Sequence, residues 1–71
     1  MAIKGYYRIE NRNTNEIWVS SFGAFFEANS ASKAFKITDY GFLTETEAEY
    51  EKMNAERRTG EECIVNFVME S

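Results

Sequence analysis

A single cysteine, Cys63, and the absence of histidine leave these 71 residues without the staples on which very short domains often rely. One thiol cannot close an intrachain disulfide, and it cannot by itself supply the ligands of a zinc site. A chain of this length buries only about 60% of the surface its unfolded form exposes. The sequence therefore predicts a core made by side-chain packing alone, in a reducing compartment, with self-association as a further aid. Homodimerisation is open to it on the same ground.

Enough apolar material is present for such a core. Hydrophobic residues make up 44% of the chain and aromatic residues 15%, which argues against disorder. No apolar run approaches the ~18 residues of a membrane span. The segment Met1-Ala2-Ile3-Lys4-Gly5 lacks the apolar stretch of a secretory signal. A single cytoplasmic domain over residues 1–71 is the expectation, with no membrane partner.

Gly5 to Glu10, with Ile3 and Lys4 before them, alternates strictly. Ile3, Tyr7 and Ile9 fall on one side and Lys4, Tyr6, Arg8 and Glu10 on the other, the period of a half-buried strand. Asn11 to Asn15 reads as a five-residue polar turn, and Glu16 to Ser20 resumes the alternation, giving a β-hairpin. Gly23 sits beside a slip in phase, so Ala24 to Ala28 is either a bent continuation or a separate strand.

Asn29-Ser30 supplies an N-cap for a helix over residues 31–40, which Gly41 would close in left-handed conformation. Thr44 caps a second helix over residues 45–58, with Glu47 at capping-box spacing. Acids crowd its start and Arg57 and Arg58 its end, which suits the helix dipole. Leu43, Tyr50 and Met53 form its narrow apolar stripe, while Glu45, Glu49, Lys52 and Glu56 face outward. Cys63 to Met69 is apolar on both sides apart from Asn66, as expected of a strand in the sheet interior. The fold class is α+β: a small antiparallel-rich sheet in the order β-β-α-α-β, with two helices packed on one face.

Chemistry is poorly provided for. Without histidine, neither a Ser-His-Asp nor a Cys-His arrangement can be assembled. A thiol in an apolar strand behaves as a small hydrophobe. The helix glutamates lack the alternating Asp/Asn and central glycine of a calcium loop, and there is no glycine-rich phosphate loop. No catalytic residue, no metal site and no cofactor is expected. Gly5-Tyr6-Tyr7 followed by Trp18-Val19-Ser20 does resemble, in degenerate form, the paired tripeptides of the GIY-YIG nucleases. In that family a hairpin presents a tyrosine to the scissile phosphate. The resemblance departs from the pattern at Trp18 and Ser20, and no arginine lies between Ser30 and Tyr40.

Binding is the function class that remains, and two surfaces compete. If Ile9 pairs with Ile17, Arg8 lies opposite Trp18 and Tyr6 opposite Ser20. Tyr6, Arg8 and Trp18 then form an aromatic and cationic platform suited to single-stranded nucleic acid or to a protein hot spot. The net charge of −4 favours protein over phosphate. The second surface is the acidic helix face around Glu45, Glu49, Glu51 and Glu56, extended by Asp39, Glu61 and Glu62, which fits a basic, nucleic-acid-binding protein. In size, charge and layout the chain resembles phage-encoded inhibitors of the anti-CRISPR and anti-restriction kind. That resemblance implies a stoichiometric blocker of a host nucleic-acid-handling protein, working in the host cytoplasm without chemistry of its own.

Overall fold

The structure, a computed structural model, describes residues 4–70; Ile3, assigned above to the first strand, lies outside them. The elements follow as β1 (Gly5–Asn11), β2 (Ile17–Val19), β3 (Ala24–Phe26), α1 (Ala28–Ala34), α2 (Ile37–Tyr40), β4 (Gly41–Phe42), α3 (Glu45–Thr59) and β5 (Cys63–Met69). The class is α+β, built on an antiparallel sheet of five strands.

The hairpin forms, but one residue out of the expected register. The Asn11 side chain accepts from the Asn13 and Thr14 amides at 2.9 and 3.2 Å, and Asn15 takes a left-handed φ of 64°. These bonds tighten the turn, so Asn11 joins the strand and its amide donates to the Glu16 carbonyl at 2.7 Å. Glu10, not Ile9, is therefore the partner of Ile17. A slip of one residue moves every side chain to the other face relative to its neighbour strand. Trp18 consequently shares a face with Ile9, and Arg8 does not lie beneath it.

Both faces of the sheet are covered. Along β1, Tyr6 and Ile9 point to opposite sides, because successive side chains alternate. Tyr6, Ile17 and Val19 pack with Ala31 of α1 and Tyr40 of α2. Ile9, Trp18 and Cys63 pack with Ala55 of α3. The expectation of two helices on one face is corrected: three helices divide between the two faces. That division is why alternation alone misassigned the solvent side of the hairpin.

Two further differences have local causes. The helix expected over residues 31–40 begins earlier, at Ala28, with no side-chain cap from Asn29 or Ser30. It then breaks at Phe35 and Lys36, both extended. The extended backbone aims the Phe35 ring at Phe26, 5.0 Å away between centroids, and at Phe22, 5.6 Å away. Packing those rings outweighs continuing a short helix, whose own propensity is marginal. Gly41 is not a left-handed cap but extended, at φ −106°, and opens β4. A Cβ there would sit 2.9 Å from both Ile37 and the Tyr6 ring, so the close approach is what requires glycine.

β3 is a separate strand, antiparallel to β2 and reached through a turn in which Gly23 has φ +70°. β5 pairs with β1 along its whole length, from Gly5 opposite Met69 to Asn11 opposite Cys63. The other edge of β1 is shared by β2 at Glu10 and by β4 at Tyr7 and Arg8. β5 is thus an edge strand, not the interior strand its apolar composition suggested.

Candidate functional site: the outer face of α3

Helix α3 starts and stops where its sequence directs. The Thr44 hydroxyl accepts from the Glu47 amide at 3.2 Å and donates to the Glu47 carboxylate at 3.0 Å. Gly60 closes the helix in left-handed conformation, with φ 75°. Its orientation on the sheet is the unexpected part. Ala48 and Ala55, two turns apart on one stripe, are both fully buried. Methyl-sized side chains let the helix lie close to the sheet, and longer neighbours reach past them to polar partners. Glu51 accepts from the Trp18 indole N–H at 2.9 Å, and Glu56 accepts from the Cys63 amide at 3.0 Å. The Arg58 guanidinium lies 5.9 Å above the Trp18 ring.

With the small residues turned inward, the large apolar ones turn outward. Tyr50 is 78% exposed and Met53 60%, and Leu43, in the link between β4 and α3, is 86% exposed. The stripe expected to pack on the sheet is thus the stripe that faces solvent. Next to it an open groove of about 390 Å³ runs between β4 and α3, lined by Phe42, Thr46, Glu47, Tyr50 and Glu51. Glu47 is exposed at its edge, and Glu45 and Glu49, the latter 3.9 Å from the Lys52 ammonium, are exposed elsewhere on the first turns of α3. The outer side of α3 thus carries exposed apolar side chains with an aromatic ring at the mouth of the groove.

The residues singled out from the sequence meet different fates. Tyr6 is 8% exposed, held edge-on to Tyr40 with ring centroids 6.1 Å apart. Arg8 is half-buried and ion-pairs with Glu10, which also accepts from Asn66 at 3.3 Å. Trp18 has no exposed surface and lies on the opposite face from both. The hairpin platform is therefore not formed: its two aromatics belong to two separate cores. Glu45 and Glu49 stand exposed on α3 as expected. Glu51 and Glu56 do not join them: the Glu51 carboxylate is turned to the buried Trp18 indole, and the Glu56 carboxylate ties α3 to the start of β5. Leu43, Tyr50 and Met53 were read as core. The signal for their exposure was the Ala48/Ala55 pair, which marks the helix's close-packed side.

Cys63 is 4% exposed. Burial, reinforced by the neighbouring Glu56 carboxylate, pushes its thiol pKa up. Both effects disfavour the thiolate, which is the nucleophilic form. Among the described residues no group of three or more acidic or cysteine side chains is placed to hold a metal ion. No helix among them is long and apolar enough to cross a membrane.

No protein family, curated protein or solved structure matches this chain.

Proposed function

We propose that this chain is a non-enzymatic binding protein, a stoichiometric inhibitor or adaptor that attaches to another protein through the outer face of α3. The observation that carries this is the exposure of Leu43, Tyr50 and Met53 beside the Phe42 groove. Large apolar side chains held outward near one another are a common mark of an interaction surface. The exposed carboxylates of Glu45, Glu47 and Glu49 select a partner with a basic surface, since complementary charge favours encounter and suppresses wrong partners. A nucleic-acid-handling protein has such a surface. In this reading the resemblance to small phage-encoded inhibitors describes the setting: carboxylates occupy a groove built for phosphates, in the cytoplasm of the host.

Affinity capture with the intact chain tests the proposal when run beside Tyr50→Ser/Met53→Ser and Glu49→Lys. The expected result is a basic partner retained by the wild type, lost by the double variant and weakened by the charge reversal, with all three proteins melting alike. Retention unchanged in both variants would overturn it.

A further inference from the structure

The free edge of β5 carries an interaction surface of its own. Along the β1–β5 ladder the Glu70 amide donates to the Lys4 carbonyl and the Arg12 amide to the Glu62 carbonyl, each at 2.9 Å. In an antiparallel pair, hydrogen-bonded and non-bonded positions alternate. Even-numbered residues of β5 therefore spend their amides and carbonyls on β1, and odd-numbered residues direct theirs away from it. Of the outward set, Cys63 is already engaged, its amide held by Glu56 at the end of β5 nearest the last turns of α3. Val65, Phe67 and Met69 are left as a row of backbone groups with no hydrogen bond to another element among the described residues.

Natural sheets protect such edges with charges, prolines or short strands. β5 has none of these: its seven residues, Cys63 to Met69, contain no charge and no proline. Ile64 is 38% exposed, Phe67 40% and Met69 67%. We infer that this edge pairs with the β5 edge of a second copy of the chain, antiparallel about a two-fold axis at Phe67, to make one continuous sheet.

The free groups themselves choose that register. With the axis at Phe67, Phe67 faces its own counterpart and Val65 faces Met69 of the other copy. Every outward amide and carbonyl of these three residues then gains a partner, and the Cys63 amide stays with Glu56. Moving the axis to Val65 would require the Cys63 amide, which is occupied. Moving it to Asn66 would set Glu62 against Glu70 of the other copy, a like-charge pair across the strands. At Phe67 no acidic residue of β5's flanks faces another, since Glu70 falls opposite Ile64. A two-fold interface of this kind is self-complementary, as closed dimers require.

The pairing has one consequence that rests on the α3 reading above. Because the sheet continues across the axis, both copies of α3 lie on the same side of it. Two binding faces would then act together, with the gain in avidity that tethering gives.

Sedimentation equilibrium on the purified chain, without any partner protein, tests the pairing separately from the α3 reading. The expected mass is twice the 8.2 kDa of the monomer. Met69→Pro removes one outward amide, and Met69→Lys places a charge opposite Val65; both should return the mass to that of the monomer with the circular-dichroism melt of the monomer fold retained. Phe67→Cys should form a self-disulfide on oxidation, because directly opposed residues in a bonded pair lie about 5.5 Å apart between Cα atoms, within disulfide reach. This cross-link decides the matter even if the Met69 variants unfold. A wild-type chain that stays monomeric at millimolar concentration overturns the inference. A dimer indifferent to both Met69 variants, or one in which Phe67→Cys does not cross-link, also overturns it.

Discussion

The indole N–H of Trp18 on β2 donates to the Glu51 carboxylate on α3 across 2.9 Å, joining residues separated by 33 positions in the chain. The bond does two things at once. It satisfies the one polar group of a fully buried tryptophan, and it fixes which side of α3 faces the sheet. With Glu51 turned inward beside Ala48 and Ala55, Tyr50 and Met53 have only solvent to face.

Removing that acceptor should be costly. Glu51→Ala leaves a buried donor unpaired, a loss of about 1–3 kcal/mol. Glu51→Gln keeps an acceptor oxygen and should recover most of it. Urea unfolding of the three proteins checks the order: wild type, then Gln, then Ala.

The alanine side of α3 should resist enlargement. Ala48→Leu or Ala55→Leu must either push the helix off the sheet or strain rotamers, at about 1–3 kcal/mol each. Thermal melts followed by circular dichroism would register the change. A neutral result would mean that the helix does not lie against the sheet on that face.

Substitution on the opposite side should do nothing to folding. Tyr50→Ser and Met53→Ser alter exposed residues away from any core contact, so each is expected within about 0.5 kcal/mol of wild type by urea unfolding. The same substitutions are the ones expected to abolish partner capture. Unchanged stability with lost binding is the signature of a contact surface.

Alkali should destabilise the fold. Burial raises the pKa of the Cys63 thiol, and burial together with Tyr6 raises that of the Tyr40 hydroxyl. Both groups are neutral when protonated, so at high pH the unfolded chain ionises first and binds fewer protons than the native one. Stability is then fully present below the unfolded pKa values and is lost as pH rises through the folded ones. The melting temperature should be insensitive to these two groups near neutral pH and fall from about pH 9 upward. Cys63→Ala and Tyr40→Phe should each flatten the fall, by melts run between pH 7 and 11.

How much of the fold is legible in the sequence depends on what each residue's neighbours are. Helix α3 was legible end to end, because Thr44, Glu47 and Gly60 act locally through caps that need no tertiary partner. The hairpin was legible as a motif but not in register, since the Asn11 side chain shortened the turn and moved Trp18 to the other face. The break at Phe35 follows from an aromatic cluster with Phe22 and Phe26, a contact beyond the reach of helical periodicity. For α3, counting apolar residues favoured Tyr50 and Met53 as core. The physical determinant was instead size: alanines allow close approach, and the carboxylates beside them found buried donors. An apolar strand likewise reads the same at an edge as in an interior, so β5 disclosed its position only through its pairing with β1.

The orientation of α3 is the point on which the functional reading turns. Hydroxyl-radical footprinting of the intact protein reports on Trp18, Tyr50 and Met53 in a single experiment. Rapid labelling of Tyr50 and Met53, with strong protection of Trp18 until the fold is melted, is the expected result. Labelling of Trp18 in the native protein, with Tyr50 and Met53 protected, would contradict it.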